Sequence, residues 1–343
     1  MSEARGAQPR MRIPSVRLSP NNATVLENLG LLAELAGHWH GHGFNLIARP
    51  NREEEGNLFL ELNQTDEPLD IEPISSPIPN RGFLQGDIEL FGLTYLQKIA
   101  DSVTGGALHI EPGLWVRQPQ TTNPAISPPP NGNIVARMGT IPHGTSLLAQ
   151  GSAIEVPELT GGSFQIPPVD TAPFPVGGTM PPGGTMGGFP PYNLSDTSAA
   201  AANFRTPFGN VPAIPLPTEI NGVLMQTVVN DPTRLLQQAI QGQFIEKMVV
   251  INIATVASLN QNPPRPVTDG AGGIENMPWL VPNADAAEFF ATFWIETIRH
   301  GSRSFLQLQY VQTILLNFPV LSDPTVNLSW PHVSIATLRR TFG

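Results

Sequence analysis

The chain has 343 residues, enough for one large all-β domain or two smaller ones. Only 13% of residues are charged, while 37 are proline and 32 glycine, which suits many short strands joined by turns better than a helical bundle. A net charge of −10 argues against nucleic acid as a partner, because phosphates demand a basic face. The lack of cysteine removes disulfides, thiolate catalysis and cysteine-ligated zinc or iron–sulfur centres.

In chain order, residues 1–22 read as a disordered leader of Arg, Pro and Ser, without the apolar core of a secretory signal. No apolar run reaches the roughly 18 residues of a membrane span, so the expected compartment is the cytoplasm, with no membrane partner. Leu26, Leu29, Leu32 and Leu35 recur every three residues and predict a helix over Thr24–Ala36. It runs into GHWHGHGFN (Gly37–Asn45), the first strand. Asn57–Gln64, Gly92–Ile99, Gly106–Arg117, Asn133–Thr140 and Thr145–Ala153 follow as further strands, the last two as a hairpin about Ile141–Gly144.

Composition then changes. Residues 157–217 are dense in Pro and Gly and echo GGTM at 177–180 and 183–186, which reads as a surface excursion without a core of its own. A helix is predicted over Asp231–Gln241 with Pro232 at its first position, then a buried strand over Lys247–Ser258. Three strands end the chain as an antiparallel meander: Ala287–Thr297, Ser304–Phe318 and Val326–Arg339. Up-and-down strands in this number point to one closed barrel of 8–10 strands over 23–343, interrupted by an insertion at about 156–245. A barrel of that size can enclose one small ligand. A two-sheet sandwich is the other arrangement open to this pattern.

The last of these strands carries the sharpest chemical signal. Alternation puts Val326, Leu328, Trp330, His332, Ser334, Ala336 and Leu338 on one face, so His332 looks inward among apolar neighbours. A buried imidazole needs a partner, either a hydrogen-bonding group or a metal ion. Pro331 suggests an edge or bulge that could shift this facing. His38, His40 and His42 share one face of the first strand, either a solvated cluster or a zinc-type ligand set. If Trp39 points inward, they point out. His109 shares a face with Glu111, Trp115 and Arg117, a set that is either solvated or an internal network. His143 lies in the turn IPHG, and His300 lies in an exposed turn. Glu53, Glu54 and Glu55 read as a solvated charge run. Hydrolase elbows, phosphate loops, HExxH and dinucleotide motifs are absent.

A leucine-rich helix followed by Gly37-x-Trp39-x-Gly41-x-Gly43 resembles the opening of calycin barrels, the lipocalin and fatty-acid-binding superfamily. With His109-x-Glu111-x-Gly113, the strand bearing Tyr310 and Gln312, and the terminal His332, Leu338 and Arg339, the sequence is similar to the nitrobindin-type haem-binding β-barrels. The resemblance covers about 25–155 and 246–341. It departs from the family at Phe44-Asn45-Leu46 and in the insertion. It implies haem b held by His332 as the iron ligand, with Trp39, His109, His143, Tyr310 and Gln312 around the cofactor. The second axial position would stay open to NO, peroxynitrite or peroxide. The alternative from another class is a metal-free calycin-like carrier of an apolar small molecule. A weaker third is a structural protein assembled through its Pro/Gly loops. A small-molecule ligand is the expected partner in the first two readings, and a homo-oligomer is compatible with any of them.

Overall fold

The structure is a computed structural model that describes residues 22–52, 56–160, 164–176, 192–194, 216–256, 272–321 and 323–341. The leader up to residue 21, the Glu53–Glu55 run and the GGTM echo lie outside the described residues. The leucine-rich segment forms α1 (Asn22–Leu29) and continues as a 3₁₀ turn over Gly30–Leu35. Gly30 makes the junction. Its φ of +56° is costly for any residue with a β-carbon, and a β-carbon there would stand 2.5 Å from Asn133 Oδ1. Leu29, Leu32 and Leu35 are fully buried and close one end of the barrel.

Ten long strands make the wall: β1 (Gly37–Asn51), β2 (Gly56–Pro73), β3 (Ile88–Asp101), β4 (Ala107–Gln118), β5 (Gly132–Ile141), β6 (Thr145–Val156), β7 (Phe244–Ala254), β8 (Asp285–His300), β9 (Arg303–Val320) and β10 (Asp323–Thr341). Each pairs antiparallel with the next in sequence. The ring closes where β1 meets β10, from His38 opposite Thr341 to Leu46 opposite Val333. The result is a ten-stranded closed up-and-down barrel, which leaves none of these strands as a free edge. The excursion leaves between β6 and β7, two neighbouring strands, so the wall is continuous beneath it.

Alternation sorts the side chains. Trp39, Leu93, Trp115, Val135, Phe293, Leu308 and Leu338 fill the inside. Phe44, Leu46, Leu62, Trp294, Val333 and Ile335 point outward and are nonetheless buried, under α2 (Met225–Asn230) and α3 (Thr233–Ile240). The excursion was expected to have no core of its own. Its described parts share a second core with the outer wall, to which Ile166 and Tyr192 belong. Helix α3 starts at Thr233, two residues later than expected, and Asp231 Oδ1 accepts from Thr233 N at 3.2 Å and from Thr233 Oγ1 at 2.6 Å. Around Pro331 the register with β9 runs unbroken from Arg339 to Asn327; the slip comes only beyond it, at Val320.

Candidate functional site

With one end closed by the helix, the opposite end is where solvent reaches the interior. There the inward side chains of Asn45, Ile47, Arg49, Phe59, Glu61, Gln312, Ile314, His332 and Ser334 are half-buried rather than sealed. Arg49 lies over the Phe59 ring at 4.2 Å, and Asn45 Nδ2 donates to Ser334 Oγ at 2.7 Å. No bulky group crowds β1 at the next level in, because Gly43 stands there. A β-carbon at Gly43 would meet Glu67 Oε1 at 2.7 Å.

The floor of this mouth is a buried polar layer. Arg137, 2% exposed, donates from Nη2 to Glu111 Oε1 at 2.8 Å, from Nε to the Tyr95 hydroxyl at 3.0 Å and from Nη1 to Gln312 Oε1. Nη2 also approaches Gln97 Oε1 at 3.4 Å. Tyr95 donates to Glu111. Gln97 Nε2 donates to the Tyr310 hydroxyl at 3.0 Å, and Tyr310 donates in turn to Glu67. Thr65 Oγ1 completes the set, donating to Glu67 Oε1 at 2.5 Å. Burial alone would raise Glu111, but the Arg137 guanidinium, aided by His109 and Tyr95, outweighs it and holds the carboxyl well below its usual range. Glu67 has only neutral donors in contact, so burial dominates and pushes it up to about 7.

His332 shares its strand face with Ser334 and with Ala336 of the inner core, whereas Leu328 and Trp330, expected on that same face, pack in the second core with Val333 and Ile335. His332 Nε2 donates to the Ala48 carbonyl at 3.1 Å. A carbonyl can only accept, so the proton is on Nε2 and the lone pair is on Nδ1. Burial, with Arg49 nearby, lowers the ring to about 4 despite the bond to Ala48, so the imidazole is neutral at neutral pH. A neutral ring that gives its other N–H to a backbone carbonyl is what an axial metal ligand requires. One imidazole suffices for a haem. Among the described residues no group of three or more His, Cys, Asp or Glu could hold a bare metal ion.

The other expected site residues divide. His109, 24% exposed, places Nε2 3.2 Å from Glu111 Oε2, and its ring lies 6.1 Å from that of the exposed His143. Both belong to the mouth, and burial lowers His143. Tyr310 and Gln312 belong to the floor. Trp39 does not join them: it sits at the helix-closed end, donating Nε1 to the Leu35 carbonyl at 2.8 Å. His38, His40 and His42 lie on the outer face, where Asp70 and Asp66 accept from the first two at 2.7 and 3.0 Å. His300 is exposed at the end of β8.

Sequence reading missed Arg137, Glu67, Gln97 and Tyr95. Arg137 had a signal: it shares a strand face with Val135 and Gly139, and a lone cation on such a face must be paired.

No known protein family matches the sequence, and no curated protein does. Seven chains of solved structures match, among them the crystal structure of Rv2717c from M. tuberculosis. That likeness has a TM-score of 0.38 at 11% identity, over 92% of this chain and 98% of that one. At this level it bears on neither family nor function. No helix among the described residues is long and apolar enough to cross a membrane.

Proposed function

We infer that the protein is a haem-binding barrel whose working end is the mouth opposite α1, with His332 as the iron ligand. The observation that carries this reading is the inward imidazole whose Nε2–H is committed to Ala48, leaving the Nδ1 lone pair unclaimed within the described residues. His332 would hold the haem, which would supply an iron able to bind NO, peroxynitrite or peroxide. The residues of the chain do the rest. Ile47, Phe59 and Ile314 offer apolar walls, the carbonyl of Ala48 orients the ligand ring, and His109 stands at the rim beside Glu111. The resemblance to nitrobindin-type barrels is the second support.

The alternative, a carrier of an apolar molecule deep in the barrel, has less to favour it. Tryptophans, Phe293 and the Arg137 layer occupy that interior. Purified protein titrated with hemin is expected to develop a Soret band and a pyridine haemochrome in about equal amount to protein. His332→Ala is expected to lose both. Wild-type protein that stays colourless while taking up a fluorescent fatty-acid analogue would favour the carrier instead.

A further inference from the structure

The floor of the mouth contains two carboxylates and one guanidinium, all sealed from water. Glu67 is 1% exposed, Glu111 3% and Arg137 2%. Arg137 and Glu111 touch and cancel. Glu67 is then surplus: its partners Thr65 and Tyr310 are neutral, and a lone carboxylate in such a setting is strongly disfavoured. Two arrangements leave the layer without net charge. In one, Glu67 carries a proton and His109 is neutral. In the other, Glu67 is ionised and His109, on the far oxygen of Glu111, is the cation.

We propose that this layer holds one dissociable proton with two resting places, the Glu67 carboxyl deep in the barrel and the His109 ring at the mouth, so that charge brought to the mouth decides which of them carries it. The two ends are linked by an unbroken hydrogen-bonded series: Glu67, Tyr310, Gln97, Arg137, Glu111, His109. The link is electrostatic, since Gln97 and Arg137 do not give up protons at ordinary pH. A charged His109 favours the ionised form of Glu67, and by linkage the reverse holds equally. Among the described residues, the titratable groups facing Glu67 belong to this set. Tyr95 and Tyr310 are held in their neutral forms by burial, and the remaining inner wall nearby is Gly41, Gly43 and Ala336. An anion at the rim would hold the proton on His109; a cation there would send it to Glu67. The inference does not depend on haem.

Infrared difference spectroscopy of the full-length protein across a pH titration tests it. The C=O stretch of a protonated carboxyl, assigned to Glu67 by its loss in Glu67→Gln, is expected to be present in acid and to disappear near pH 7. In His109→Gln the same band is expected to survive to higher pH by about one unit, a tenfold gain in proton affinity. Tyr310→Phe, which keeps the ring and removes only the donor to Glu67, gives an assignment independent of whether the glutamine variant folds; it should shift the band in frequency and raise its titration. A band absent at every pH, or one titrating identically in wild type and His109→Gln, would overturn the proposal.

Discussion

The barrel wall has buried carboxyls on both of its sides, and Glu111 within and Glu296 without are treated differently. Inside, Glu111 is met by Arg137, Tyr95 and His109, and each of its oxygens has a partner. Outside, beneath α3, Glu296 is completely buried. Gln307 Nε2 donates to its Oε2 at 2.7 Å, while Oε1 accepts nothing, and Gln309 Oε1 nearby on β9 is equally unpaired. A sealed carboxyl oxygen with no donor is explained by a proton on Glu296, and burial does push this carboxyl up to about 8. The inner layer is therefore a charged network completed by its partners. The outer one is a neutral seam on which the excursion rests: Gln309 Nε2 donates to the Leu236 carbonyl of α3, and Gln307 pairs with Gln243. Thr313 Oγ1 is also unpaired on this outer wall, but it lines a cavity of about 20 Å³ with Pro167 and Trp294, room for roughly one water.

The largest effect that would break this contrast is expected at Arg137. Arg137→Met leaves Glu111 and Glu67 together in a sealed interior, and a loss of about 3–5 kcal/mol in urea denaturation at neutral pH is expected. Adding Glu111→Gln should recover part of it; no recovery would mean that the guanidinium acts by packing alone. Glu296→Gln should do the opposite. Folded Glu296 holds its proton to about pH 8, whereas the unfolded carboxyl releases it near 4.5, so wild-type stability falls as pH rises between those values. The amide variant cannot ionise, and it should be more stable above pH 8 by on the order of 2 kcal/mol, with that decline flattened. A variant as pH-sensitive as wild type would place the decline elsewhere.

His332 runs with the other sign. Its folded value is depressed to about 4 from 6.5, so stability is full above 6.5 and is lost as pH falls through 4. His332→Ala should remove this acid-side slope, read from thermal midpoints across the window. The smallest effect is expected on the surface: His40→Ala breaks a half-exposed pair with Asp66 and should change stability by less than about 0.5 kcal/mol.

Much of this architecture was legible in the sequence, and for a local reason. Strand alternation is a property of neighbouring residues, so the strand segments, the shared face of His332, Ser334 and Ala336, and the placing of His38, His40 and His42 on the face opposite Trp39 could be read from spacing. The ends of strands could not, because β2 and β10 run as long as their partners supply hydrogen bonds, well past the residues whose pattern announces them. The polar floor depends on contacts between residues far apart in sequence, such as Gln97 with Tyr310 and Arg137 with Gln312. No spacing records those. The second core was hidden for a related reason: Phe44, Leu46 and Leu62 look like residues of a strand buried on both faces, and only α2 and α3 show what covers the outer one.

Nitrogen NMR of the His332 ring, before and after hemin is added, tests the account most directly. It is expected to show a neutral ring at pH 7 with the proton on Nε2 and a bare Nδ1, and to lose the Nδ1 resonance when hemin binds. A ring protonated on both nitrogens at that pH, or an Nδ1 signal unmoved by bound hemin, would contradict it.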